Sequence, residues 1–309
     1  MERVCSKKTK NHWFKKEYPY HIMVWMGIAF LAVFSYIPMA GIIIAFKNYR
    51  IGTGILGSPW NNFAHFISIF EDFYMLNALT NTVGIFLLSM LIEFPVVIAF
   101  ALLLNEINNI TFKKIVQTVS YLPHFISWTI MAIILDTLIS PSRGIINQAL
   151  IALGFTENGI YFLGIKEIYW WVVVIASLWK GLGWSSIVYL AVITGIDESL
   201  YEAAKIDGAG RFARMRYITL PSLRSIICIR LILSVGSMVN TGFDQAYFLN
   251  NPMNYEKSLT LSYYIYEIGL IRGNFGYSTA VGLLLSIVSA LLMLFANGLV
   301  KKINGEALF

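Results

Sequence analysis

Charge is scarce in this 309-residue chain: Asp, Glu, Lys and Arg together make up 13% of it, while apolar residues reach 57%. Ordinary soluble chains carry roughly a quarter charged residues, and a water-facing surface cannot be built from so few. A soluble globular enzyme is therefore excluded. Cysteine is nearly absent, at two residues. Cys5 sits in a basic tail and Cys228 in an apolar stretch, so no disulfide framework is expected. The four histidines, His12, His21, His65 and His124, are dispersed and form no metal-ligand spacing. No G-x-x-x-x-G-K-[ST] phosphate loop occurs, so nucleotide binding of the Walker kind is not expected of this chain.

What is present is long apolar runs. Six blocks, each about 20 to 27 residues, fall at 22–46, 83–104, 119–139, 168–194, 225–249 and 279–300. A helix of ~20 apolar residues crosses the hydrocarbon core, which predicts an all-α integral membrane protein with six transmembrane helices. The third block carries Pro123, His124 and Asp136, and the fourth holds Lys180 near its middle. The first is too long for a signal-peptide core and lacks a following small-residue cleavage site, so it is expected to remain as an anchor.

Basic residues orient the spans. The tail before the first block has Arg3, Lys7, Lys8, Lys10, Lys15 and Lys16; the second loop has Lys113 and Lys114; the tail after the last block has Lys301 and Lys302. The fourth loop adds Lys205, Arg211, Arg214, Arg216 and Arg224, whereas the other three loops carry two basic residues each. Both termini are therefore predicted cytoplasmic. The expected organisation is a basic tail at 1–21, a transmembrane domain at 22–300 and a second tail at 301–309. The net charge of +6 follows from these juxtamembrane positions, and nothing points to nucleic acid. A short lateral helix is expected at 63–73 among the outer loops.

The substantial cytoplasmic loop, 196–223, carries the most information. Asp197 or Ser199 can cap a short helix, and Ser199 with Glu202 has capping-box spacing. Leu200, Ala203, Ala204 and Ile206 supply its apolar and small contacts. Asp207 precedes Gly208, and with Gly210 that glycine stops the helix in a tight turn. A second short helix follows, with Phe212 and Met215 on one face and Arg211 and Arg214 beside them, and Leu220-Pro221 leads to the fifth block. Such a loop either docks on a partner or lies on the membrane surface.

The spacing Glu202-Ala203-Ala204, three residues, Gly208, nine residues, Ile218, one residue, Leu220-Pro221 resembles the EAA signature of binding-protein-dependent ABC importer permeases at every signature position. Stretches such as Ile37-Pro38-Met39-Ala40-Gly41 and Tyr121-Leu122-Pro123 look like polysaccharide permeases of the LplB type from Gram-positive bacteria, within the sugar branch related to the maltose importer. The resemblance implies the type I importer (MetI-like) permease fold. It also implies that the loop is a coupling element seated in a cytoplasmic ATPase: Glu202 pairing with a basic residue, Ala203 and Ala204 allowing close approach, Gly208 forming the bend, and Pro221 passing motion to the fifth helix. Asp207, Arg211, Phe212 and Leu220 belong to the same element.

Partners follow from the resemblance: two copies of the ATPase carrying ATP and Mg, a second homologous permease, and an extracellular lipoprotein that binds solute. The setting would be the plasma membrane of a Gram-positive bacterium, and the cargo a carbohydrate, most naturally an oligosaccharide. Residues that can meet it are polar groups within the spans: Asn240, Asp244, Gln245 and Tyr247 in the fifth block, and Lys180 and Trp184 in the fourth, with Glu93 and Asp136 as further candidates. Asn240 and Asp244, four apart, would share a helix face, and Tyr247 and Phe243 offer rings for pyranose stacking. Two other classes compete. An ion-coupled secondary transporter could use Glu93, Asp136 and Asp244 but leaves the loop unexplained, and a membrane-embedded transferase would need a carboxylate or metal cluster near one interface.

Overall fold

The computed structural model describes residues 5–304, with side chains from 18 to 302. The ends of both basic tails, and the side chain of Cys5, lie outside the described residues. All of the regular structure described is helical apart from one isolated bridge between Lys47 and Trp60. Helix α1 (Cys5–Leu31) continues through tighter and wider turns to Phe46. Its segment Tyr18–Phe46 is apolar on all sides and almost wholly exposed, the pattern of a helix that meets hydrocarbon rather than a protein core. The short helix α2 (Ala64–Glu71) realises the lateral helix expected at 63–73.

Asp72 then starts α3 (Phe73–Asn105), accepting the amides of Tyr74 at 2.9 Å and Met75 at 3.3 Å. The same carboxylate accepts the hydroxyls of Tyr264 and Tyr277, the latter at 2.8 Å, so one residue joins three helices. Burial works against its charge, but these four hydrogen bonds outweigh it and hold its pKa below the ordinary aspartate value of 3.8.

Helices α3 and α13 (Phe275–Asn304) contain the second and sixth predicted spans, and α7 (Tyr169–Ile193) matches the fourth to within one residue at each end. Three packed cores follow one another along α3, around Met75 and Ala78, around Ile85, and around Val97, Ala101 and Leu104. Small residues let the helices close on one another. A Cβ on Gly84 would lie 2.2 Å from the Trp170 ring, and one on Gly183 would lie 2.2 Å from the Ser120 carbonyl oxygen.

The two remaining blocks are not straight. The third, expected at 119–139, is divided into α4 (Ile110–Tyr121), a tight turn Leu122–Phe125 and α5 (Trp128–Ile139), with a 103° bend between the halves. Ile126 is extended there (φ −74°, ψ 130°) and the Ser127 hydroxyl caps the new helix by accepting from the Ile130 amide. Pro123, which has no amide to give the Val119 carbonyl, ends the regular helix, and the bend falls three residues on, at Ile126. Helix α6 (Ile145–Ala152) follows.

The fifth block, expected at 225–249, consists of α10 (Arg224–Gly236), a single turn Met238–Asn240, and α11 (Phe243–Leu249) after Gly242 at φ +80°. Helix α12 (Leu261–Tyr266) follows it. Among the described residues four helices are long and apolar enough to cross a membrane, or six if two bent pairs, 110–125 with 128–139 and 211–222 with 224–236, each count as one span.

Candidate functional site

The 196–223 loop forms two short helices, α8 (Glu198–Ile206) and α9 (Arg211–Arg214). Asp197 caps the first by accepting the Ser199 amide at 2.9 Å, so the cap falls to Asp197 and the Ser199–Glu202 box is not used. Hydrogen bonds from the Ser199 amide and hydroxyl hold Asp197 below the usual carboxylate range. The helix ends as Gly208 enters the left-handed region at φ +79°, with its amide on the Lys205 carbonyl (3.1 Å) and the Ala209 amide on the Ala204 carbonyl (2.8 Å). That pair of bonds satisfies carbonyls a helix end otherwise leaves open.

Beyond α9 the backbone widens over Met215–Thr219 and closes again in the turn Leu220–Ser222. Pro221 has no amide to give the Tyr217 carbonyl, which suits the wider winding. The chain then turns by 56° into α10 at the fully buried Leu223. Two side-chain links brace the loop: Tyr201 and Thr219 share a hydroxyl–hydroxyl bond of 2.9 Å, and Arg211 lies 4.0 Å from Glu106. The rest of its outer face is bare. Ile206 is 87% and Phe212 71% exposed, Ala203 and Asp207 are open, and Glu202 has no partner among the described residues.

The candidate path residues do not gather in one place. Asn240 and Asp244 do not share a helix face: the break at Thr241–Gly242 puts Asn240 in one turn and Asp244 in the next helix. Their four-residue spacing therefore misled, because a left-handed glycine resets the helical phase. Gln245 faces inward, donating to the Ser177 hydroxyl at 3.2 Å. It lines a cavity of about 290 Å³ with Glu93, Ser89, Ser177, Ser234, Ser237 and Thr241, walled by Phe86 and Phe94. Tyr247 stacks on Phe243 (5.9 Å) and meets Tyr266 edge-on at 5.6 Å, in an aromatic cluster completed by Tyr263.

Lys180 and Trp184 serve the bend of the third block. The Lys180 amino group donates to the His124 carbonyl at 2.6 Å, and the Trp184 ring lies flat on His124 at 4.4 Å and 2°. A broken helix leaves carbonyls free, and in hydrocarbon each needs a donor. Asp136 lines another cavity altogether, at the end of α5 away from the 196–223 loop.

Sequence reasoning passed over the serines of the first cavity and the α12 tyrosines. Ser234 and Ser237 recur at helical spacing inside an apolar run, which is a readable signal. Tyr263 and Tyr266 come from a segment that the pattern assigns to a loop, so only the tertiary fold brings them to Tyr247.

The model of the binding-protein-dependent transport system inner membrane component matches residues 94–305. The polygalacturonan/rhamnogalacturonan transport system permease protein YteP of Bacillus subtilis (strain 168) is 42% identical over 289 residues, covering 94% of this chain and 89% of that protein. Protein LplB of the same organism is 40% identical over 291 residues, covering 94% and 90%. The crystal structure of a bacterial alginate ABC transporter, in complex with alginate pentasaccharide-bound periplasmic protein, holds a chain that superposes with a TM-score of 0.87. That chain is 34% identical, with 99% of this chain and 100% of that one covered. The match to the family model extends over the 196–223 loop, the bent fifth block and the cavity residues from Phe94 onward. On the strength of these matches, the chain belongs to the family of binding-protein-dependent transport system inner membrane components.

Proposed function

We propose that this chain is one of two permease subunits of an ATP-driven importer that carries an oligosaccharide across the plasma membrane of a Gram-positive bacterium. The observation that carries the reading is the 196–223 loop. It is internally capped and braced, yet presents Glu202, Ile206 and Phe212 outward without a partner. Two cytoplasmic ATPases, which hold the ATP and Mg, would seat on this loop and on its counterpart in a second, homologous permease.

In this reading there are six spans, the third bent at Ile126 and the fifth formed by α10, the turn Met238–Asn240 and α11, and both termini lie in the cytoplasm, as the basic loops favour. Closure of the ATPases moves α8 and α9, and the turn at Leu223 passes the displacement to α10. The 290 Å³ cavity sits beside that helix and combines hydroxyls, an amide and a carboxyl with two phenyl rings, the mixture that suits a polyhydroxylated ring. A solute-binding lipoprotein would deliver cargo from outside. The carbohydrate assignment draws on the sugar-transport relatives, and the hydroxyl-lined cavity and the tyrosine cluster around Tyr247 support it.

Affinity purification of this chain from native membranes tests the reading. An ATP-binding subunit and a second permease are expected to co-purify, with ATP hydrolysis stimulated by a saccharide-loaded binding protein. Recovery of the chain alone, with uptake that survives ATP depletion and collapses with an uncoupler, would overturn it in favour of ion coupling.

A further inference from the structure

The cavity at the far end of α5 differs in kind from the one beside Glu93. It holds about 370 Å³ and is lined by Thr129 and Asp136 of α5, Tyr161, Phe248 of α11, and Asn250 and Asn251. Its polar groups are unequally used. Asn250 donates to Tyr263 and accepts from Ser258, and Asn251 gives its amide to the Leu163 carbonyl. By contrast, the Asp136 carboxylate and the Thr129 hydroxyl make no hydrogen bond or ion pair among the described residues, and the Tyr161 hydroxyl is met only by Asn251 at 3.5 Å. A carboxylate on a span-forming helix is costly to leave without a partner. Here it stands over a chamber with the free Thr129 hydroxyl, a Tyr161 hydroxyl that still has its proton to donate, and a phenyl wall.

We propose that this chamber is a second saccharide subsite, at the outer mouth of the path, and that it takes an uncharged glycosyl unit rather than a uronate. The inference rests on the importer reading above. Asp136 accepts from two sugar hydroxyls, Tyr161 and Thr129 donate to or accept from a third, and Phe248 packs against the apolar face of the ring. The sign of the charge sets the selectivity. A fixed carboxylate attracts hydroxyl donors and repels a second carboxylate brought within a few ångströms. Helix α11 runs from Gln245 in the inner cavity to Phe248 and Leu249 in the outer one. A linear oligosaccharide thus has two polar chambers on one short helix, separated by about one turn.

The test uses the complex purified through this chain and reconstituted in proteoliposomes with its binding protein. Uptake is compared for two pectin-derived pools, neutral galactan and arabinan oligosaccharides and oligogalacturonates, in wild type, Asp136→Asn and Tyr161→Phe. Loss of a charge-assisted hydrogen bond predicts a roughly ten- to hundred-fold rise in half-saturating concentration for the neutral pool in Asp136→Asn. A smaller rise is expected in Tyr161→Phe, and unchanged or improved uptake of uronates in both. Equal effects on the two pools, or none, would overturn the subsite. So would loss of the second permease from the Asp136→Asn complex, which would make Asp136 an assembly contact. A wild-type complex that retains no ATPase and takes up neither pool would instead refute the importer reading itself.

Discussion

The two ends of this molecule are held in opposite ways. At the end away from the 196–223 loop, the connections 140–167 and 250–260 are nailed down by buried amides. Asn147 donates to the carbonyls of Ile139, Ser140 and Ile160 and accepts the Ile160 amide at 2.8 Å. Asn254 donates to Leu163 and Leu249, Asn81 to Glu256 and Leu259, and the Trp170 indole to Lys257. At the coupling end, two side-chain links brace the helix pair while its apolar and acidic outer groups face open space. Irregular backbone that satisfies itself needs nothing from outside. A braced element with bare apolar side chains is complete only when something covers it.

Breaking the coupling end should have the largest effect on transport. Gly208→Val forces a β-branched residue into the left-handed region. Open space surrounds this glycine, so the chain still inserts in the membrane while uptake falls to background; normal uptake at normal membrane abundance would break the contrast. The opposite end should respond in stability instead. Asn147→Ala strands three carbonyls and one amide, at a cost on the order of 3 kcal/mol. The expected readout is a lowered melting temperature of the complex with transport retained below it. An unchanged melting temperature would show that those loops do not depend on the amide.

The smallest effect belongs to Asp72. Its folded pKa lies below 3.8, so its contribution is fully present above that value and is lost as pH falls through the lower folded value. Melting temperatures should be flat with respect to Asp72 from pH 8 to 5. In stronger acid, wild type should fall more steeply than Asp72→Asn, and parallel curves would remove Asp72 from the account of that end.

Much of this was legible beforehand. The apolar blocks within α1, α3, α7 and α13 announced themselves, because a bilayer demands an unbroken run of about 20 apolar residues. The helix pair of 196–223 was readable because capping and turn chemistry are local: an acidic cap, a left-handed glycine and small residues act within a few positions of one another. Where Asp197 rather than Ser199 took the cap, the choice lay between neighbours two positions apart. The path residues were less legible. Lys180 reads as an intramembrane charge awaiting cargo, but it answers a carbonyl freed by the bend at Ile126. Nothing in the fourth block reveals that bend.

Composition and local pattern alone determined that this chain is an integral membrane protein with a capped pair of short helices at 196–223, since lipid and backbone chemistry act on each segment independently. The tertiary structure decided where the third and fifth blocks break and which polar groups share a cavity. It also brought Tyr263 and Tyr266 to Tyr247, and Asp136 to Tyr161 and Asn251. Those outcomes depend on close approaches between helices far apart in sequence, as at Gly183 against Ser120. No periodicity within a single segment encodes such contacts.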